Sequence, residues 1–383
     1  MLEAGDAAIS AEFVETTGSP SFDDVQRWIG ERIVAEGEPV ELRRGSVWAG
    51  AYLDAVEEMA QGLKSPSPEY RRRYALPLGL ERMLGADEPH LASGLPLRAH
   101  QVDALAGMLA AVIGDYERQE ADDTAEADLD DAAPRLADES QAVVGDTGGD
   151  DGDDDEELVF EDDDESEAVE LPPLIDEEPV ARVVLAGVED DDDDDEDDDE
   201  DATGEHEAAD PGAIRRYRFK HPTASGKTVA AAAFVDAARI TGVLILTHRR
   251  LLVDQFKRDL KEQGYGHRIK EPVLGVARPP VVPPISIETY AWFIKNADRL
   301  SRDTYGVILC DEAHTALGDR TSAAIRRLDT PTYIGMTATD ELLQKHVGDV
   351  FPAEIADFPL GEAVLSGVVA PLRAVRVTPG ASL

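Results

Sequence analysis

Two short segments carry residue types that could act on a triphosphate. Residues 221–228 read H-P-T-A-S-G-K-T, and residues 311–314 read D-E-A-H. In the first, Gly226 lets the backbone pass close to phosphates, Lys227 can reach the β and γ phosphates, and the Thr228 hydroxyl can sit on Mg²⁺. Thr223, Ala224 and Ser225 complete the loop that would surround them. In the second, Asp311 suits the Mg²⁺ shell, and Glu312 suits orienting or deprotonating an attacking water. Neither half is convincing alone. Together they are the two halves of a nucleoside triphosphate site, separated by a span that fits an alternating strand–helix domain.

The elements that must position them follow from periodicity. From residue 214 the chain alternates strand and helix: a strand over 214–220, an alanine-rich helix from Thr228 to Arg239, and an apolar strand V-L-I-L at 243–246. A helix near 249–263, a strand over 284–290, a helix over 291–299 and a strand over 306–310 come next. Residues 320–328 then read as helix, and 332–339 as strand plus loop. Such alternation predicts an α/β domain with a parallel sheet and ligands at the strand carboxyl ends. Lys227 and Asp311 both fall just after predicted strands, as that rule requires. The leading strand R-R-Y-R-F-K is more charged than a strand buried on both faces should be.

Upstream, residues 1–95 read as a mostly helical region. Phe22, Val25, Trp28, Ile29 and Ile33 fall at helical spacing behind a candidate N-cap, Ser21, and residues 47–63 repeat the pattern. The run Y-R-R-R-Y at 70–74 reads as a solvated helix face rather than a phosphate contact, and no catalytic signal appears in this region. Residues 96–114 form an apolar helix with a polar entry.

Composition changes sharply over 115–213, which holds 45 of the 81 acidic residues and only three of the 36 Lys and Arg. A segment so charged and so poor in apolar residues is expected to be disordered. It reads as a solvated spacer, as a nucleic-acid mimic that competes for the strand groove, or as a docking tail for a basic partner. The net charge of −45 therefore says little about the partners of the remainder, which carries 36 acids against 33 bases. The single cysteine, Cys310, excludes an intrachain disulfide and a multi-cysteine metal site, and its apolar neighbours make it a small buried hydrophobe. No stretch of 18 apolar residues and no signal-like start appear, so a cytoplasmic protein is expected.

The ordered motifs resemble the first RecA-like motor domain of the second helicase superfamily, the DEAD/DEAH type, in its restriction-subunit-like (ResIII) branch. The resemblance covers about 96–114 and 214–370. L-R-A-H-Q at 97–101 resembles the entry motif in which a glutamine reads adenine, which implies Gln101 as the base contact of bound ATP. L-I-L-T-H-R-R-L-L-V-D-Q-F at 244–256 resembles the segment whose loop rides on one nucleic-acid strand, with His248 and Arg249 on the phosphate backbone. I-S-I-E-T-Y at 285–290 implies Thr289 as another strand contact. G-M-T-A-T at 335–339 implies Thr337 and Thr339 in coupling hydrolysis to strand movement, and His314 of D-E-A-H would link the nucleotide to that motif. T-A-T favours DNA over RNA. F-P-L-G-E-A-V-L-S-G-V-V-A-P-L at 358–372 resembles the link towards a second motor domain.

Two departures stand out: Ala224 replaces a frequent Gly, and the acidic insertion separates Gln101 from the phosphate loop. No second RecA-like domain follows the link, and in this family that domain supplies arginines worth about 10³–10⁵ in rate. The resemblance thus implies the ATP-binding half of an ATP-dependent DNA helicase or translocase, weakly active unless a separate chain completes it. A non-enzymatic, ATP-gated binding or regulatory protein is the alternative.

Overall fold

The computed structural model describes residues 8–10, 20–33, 41–43, 45–132, 210–275, 280–338 and 344–371. The acidic segment expected to be disordered lies outside the described residues, except at its two ends.

The N-terminal region is helical, as expected. Helix α1 (Phe22–Ile29) starts at Ser21, whose Oγ accepts from the Asp24 N–H, and stops at Gly30 in the left-handed region. Helix α2 (Val47–Ala60) and helix α3 (Pro68–Leu84) follow. Two three-residue strands, β1 (Ala8–Ser10) and β2 (Glu41–Arg43), pair antiparallel beside them and were not anticipated. The Y-R-R-R-Y run lies on α3 and departs from a solvated face. Tyr70 and Tyr74 are buried in the core of this region, while Arg72 pairs with Asp303 and Arg73 with Glu120.

Helix α4 (Ala99–Ala132) extends well beyond residue 114. Its continuation is held by tertiary contacts: Tyr116 is buried, and Asp115 accepts from the Tyr217 hydroxyl. The central sheet then builds from β3 (Arg216–Lys220), β4 (Gly242–Thr247), β5 (Ile285–Thr289), β6 (Tyr305–Asp311), β7 (Thr332–Thr337) and β8 (Ala353–Asp357). Their order is β5-β4-β6-β7-β3-β8, and every pairing is parallel. The connecting helices are α5 (Lys227–Ala237), α6 (Arg250–Glu262), α7 (Tyr290–Asn296), α8 (Asp319–Arg327) and α9 (Gln344–Val350), with α10 (Leu360–Leu365) after β8.

Both faces of the sheet are covered, which explains the unbroken apolar runs of its central strands. Val243, Ile245, Val307 and Leu309 join the core beneath α3–α6. Their alternates Leu244, Leu246, Ile308 and Cys310 join the core beneath α7–α9. Burial pushes the Cys310 thiol up to about 12, consistent with a small hydrophobe. On β3 only Tyr217 and Phe219 enter an apolar core. Its charged residues find partners instead: Arg216 bonds Asp210, Arg218 reaches Glu354 and the carbonyls of Phe351 and Pro352, and Lys220 pairs with Glu354.

The N-terminal helices are fastened to the far end of α5. A Cβ at Gly79 of α3 would lie 1.7 Å from the Ala237 carbonyl, so only glycine allows that crossing. Glu31, buried just after α1, accepts from Arg82 of α3 and from Arg239 beyond α5. Among the described residues no helix is long and apolar enough to cross a membrane.

Candidate active site

The sheet places the predicted residues in a row along its carboxyl edge. Thr289 ends β5, His248 and Arg249 follow β4, Asp311 ends β6, Thr337 ends β7, and the loop 221–226 follows β3. These are neighbouring strands, with Thr247 beside Thr289, Asp311 beside Met336 and Lys220 beside Thr337 in register. Thr339 lies outside the described residues.

The loop turns back on itself with Ala224 at φ 67° and Gly226 at φ 98°. The Ser225 N–H donates to the Pro222 carbonyl, and the Val229 and Ala230 N–H groups close on the Gly226 carbonyl to start α5. Thr223 and Ala224 are exposed, Ser225 is buried, and Lys227 and Thr228 are half-buried at the start of the helix. The His221 N–H donates to the Thr337 carbonyl at 3.0 Å, which ties the loop to the end of β7.

The acidic segment meets this loop. Lys227 Nζ lies 2.8 Å from Glu312 Oε1. Glu312 itself sits at φ 47°, a left-handed turn held where the Thr315 N–H and hydroxyl both donate to its carbonyl. The Tyr290 hydroxyl donates to the Asp311 carbonyl at 2.9 Å, anchoring the same turn from α7. Asp311 is 8% exposed. Burial pushes its carboxyl up to about 6, Glu312 adds to the rise, and Lys227 opposes it. Glu312 Oε2 is buried without a hydrogen bond, and His314 Nδ1 lies 3.6 Å from it. One lysine thus faces two carboxylates, one of them with an orphaned oxygen. This donor set is short of positive charge and suits a hard divalent cation.

Other predicted residues are engaged differently from a bare reading of the motifs. Gln101 is 2% exposed. Its Oε1 accepts from the Arg98 N–H, and its Nε2 donates to the Gly226 carbonyl at 3.1 Å, so this side chain grips the phosphate loop itself. The Thr289 hydroxyl accepts from the Trp292 N–H and caps α7. Thr337 is buried. His248 and Arg249 are exposed. Partial burial and then Arg249 lower the His248 pKa, while Glu312 opposes them, so this residue adjoins the acidic turn. Sequence reasoning passed over His100, His221 and Phe358, whose rings meet beneath the loop. The only signal available for His100 was its place beside Gln101 in the first turn of α4.

Residues 206–342 match the family model of the type III restriction enzyme, res subunit. No curated protein matches the chain. Among solved structures it is similar to the UvsW helicase from bacteriophage T4, at 18% identity over 38% of this chain and 55% of that one with a TM-score of 0.30. The Pyrococcus furiosus Hef helicase domain shares 21% identity over 39% of this chain and 36% of its own, at a TM-score of 0.29. Saccharomyces cerevisiae Dbp5 shares 14% identity over 38% and 44%, at a TM-score of 0.31. The chain thus spans about half or less of each of these proteins. Residues 206–342 of this chain are thus similar to the res subunit of type III restriction enzymes, a match that takes in both the loop 221–228 and the D-E-A-H turn.

Proposed function

We propose that the chain binds Mg-ATP at the carboxyl edge of its sheet and uses hydrolysis to move along DNA, as one RecA-like lobe of a helicase or translocase. The observation that carries this reading is the 2.8 Å contact between Lys227 and Glu312, which joins the phosphate loop to the D-E-A-H turn. In the bound complex Lys227 would exchange Glu312 for the β and γ phosphates, freeing that carboxylate to orient and deprotonate the attacking water. Thr228 and Asp311 would hold Mg²⁺, which would neutralise charge between the phosphates. The buried carboxyl of Asp311 favours such a cation, because ionisation next to Glu312 is otherwise costly.

Gln101 would select adenine with the amide hydrogen left after its bond to Gly226. His314, beside Glu312, would relay the state of the phosphates towards Thr337 and Thr339. His248, Arg249 and Thr289 form one line with these groups and would follow a nucleic-acid backbone; the first two are exposed for that contact. The T-A-T sequence and the description of the matched family both favour DNA over RNA. Arginines from a second RecA-like lobe, in this protein or on a separate chain, would complete the hydrolytic site; without them turnover should be slow.

Steady-state ATPase assays with and without single-stranded DNA, duplex DNA and RNA test the reading. DNA-stimulated turnover that disappears in Lys227→Ala is the expected result. Tight ATP binding with no turnover under any condition would instead favour an ATP-gated binding protein, a reading consistent with the same site. Failure to bind ATP at all would overturn both.

A further inference from the structure

Beneath the phosphate loop four aromatic rings from separate elements converge. His100, in the first turn of α4, is 4% exposed, and its ring lies flat on Phe358 with centroids 4.4 Å apart and planes 2° apart. His221, the first loop residue, meets His100 edge-on at 4.9 Å and packs against Phe219 at 4.7 Å. The Nε2 of His100 lies 3.0 Å from the Ser225 carbonyl. A carbonyl can only accept, so Nε2 carries the proton and the imidazole donates. Next to it, Gln101 donates to the following carbonyl, that of Gly226. Two consecutive side chains of α4 therefore hold two consecutive carbonyls of the loop. Phe358 reaches its place because its own N–H donates to the Lys220 carbonyl at 2.9 Å, continuing the β8 pairing past the strand end.

We propose that His100 is a positioning residue for the phosphate loop: its Nε2–H fixes the Ser225 carbonyl, and Phe358 locks the ring in that orientation. This deepens the nucleotide reading above and rests on it. A hydrogen bond to the loop carbonyl acts on the phosphate-binding conformation and not on the base, so its effect is the same for every ligand that uses the loop. The segment after β8, which carries Phe358 into α10, thereby sets how well the loop is held.

The test uses the full chain, with His100→Phe, His100→Gln and Phe358→Leu variants. Phenylalanine keeps the stack on Phe358 and removes the donor, whereas glutamine can return an N–H near the Nε2 position. Two readouts are taken: binding of ATP, GTP and inorganic tripolyphosphate by calorimetry, and hydrogen exchange of amides 223–230 without ligand. His100→Phe should weaken all three ligands by the same factor, about five- to tenfold for one neutral hydrogen bond. It should also speed exchange at Ser225 and Val229. His100→Gln should recover much of both effects, and Phe358→Leu should shift both in the same direction by less. Wild-type loop exchange in His100→Phe overturns the proposal, as does a loss confined to ATP. If the wild-type chain and Lys227→Ala alike bind no triphosphate, the nucleotide reading fails, and the exchange measurement alone then decides whether His100 holds the loop.

Discussion

Ala224 offers a quantitative test of how the phosphate loop is built. Its φ of 67° lies in the left-handed region, where the side chain of an L-residue crowds its own backbone. That conformation costs roughly 1–2 kcal/mol for a residue with a Cβ. Glycine removes the crowding but gives the unfolded chain about 0.5–1 kcal/mol more backbone entropy to lose. The net expectation for Ala224→Gly is a gain of about 0.5–1 kcal/mol. The methyl group is exposed, so its removal opens no cavity that would offset the gain. For a domain of this size the gain corresponds to a rise in melting temperature of about 1–4 °C, measurable by calorimetry or urea unfolding. Ala224→Val should move the other way, since a β-branched residue tolerates this region least. An Ala224→Gly protein that melts below wild type would refute the reasoning, because the loop would then not hold residue 224 in the left-handed region.

The same variant reports on the bound loop. A loop that keeps its conformation around phosphates carries the strain equally with and without ligand, so the dissociation constant of tripolyphosphate should change less than about twofold. If binding instead relaxes residue 224, the glycine removes a driving force, and affinity should fall by up to tenfold for about 1.4 kcal/mol of released strain.

Two further outcomes follow from buried groups. Arg268 is 5% exposed and donates to the carbonyls of Pro283, Val235, Ala238 and Thr241, closing the end of α5. Burial lowers its pKa to about 10, still charged at neutral pH. Arg268→Ala removes a donor from four carbonyls, of which that of Ala238 keeps the Thr241 N–H, and should cost about 3–5 kcal/mol in urea unfolding, with Arg268→Lys recovering only part; a loss below about 1 kcal/mol would refute this role. His221 is fully buried, and its burial, with the charges of His100 on α4 and Lys227 on the loop, holds its imidazole down at about 4 against an ordinary 6.5. The unfolded state then binds the proton first, so this contribution to stability is complete above pH 6.5 and is lost as pH falls towards 4. Between pH 7 and 5 the loss from this group should be about 2 kcal/mol, and His221→Phe, which keeps the aromatic packing, should remove it. A wild-type-minus-variant stability difference that is constant with pH would exclude the effect.

Much of this architecture was legible because the signals are local. Ser21 announces α1 through a bond to an N–H three residues away. The apolar alternation of β4 and β6 announces a sheet covered on both faces. The motif order places Lys227, Asp311 and Glu312 at strand ends, where they lie. What escaped depends on distant partners. Helix α4 continues into acidic sequence because Asp115 meets Tyr217, 102 residues on, and Tyr116 finds the N-terminal core. The expected pairing of Gln101 with a base gave no hint that its amide would engage the loop carbonyl 125 residues away. Tyr70 and Tyr74 looked like flanks of a basic patch because nothing near them in sequence reveals the core they enter.

The charged strand β3 shows why such distant partners matter to the site. Alternating Arg216, Arg218 and Lys220 contradict a doubly buried strand, and on periodicity alone they weaken the assignment. Arg216 turns back to Asp210, but the Arg218 guanidinium and the Lys220 ammonium reach across to the segment that follows α9. Arg218 donates to the Phe351 and Pro352 carbonyls and pairs with Glu354, and Lys220 pairs with Glu354 as well. These contacts hold β8 in parallel register on β3, with Lys220 opposite Asp357. The residue after Asp357 is Phe358, whose ring backs His100, and His100 in turn holds Ser225. The charges that seem misplaced on β3 therefore fasten the strand that delivers an aromatic ring to the phosphate loop. A purely apolar β3 would satisfy the sheet but leave the Phe351 and Pro352 carbonyls without these donors, and β8 without the ion pairs that fix it beside the loop.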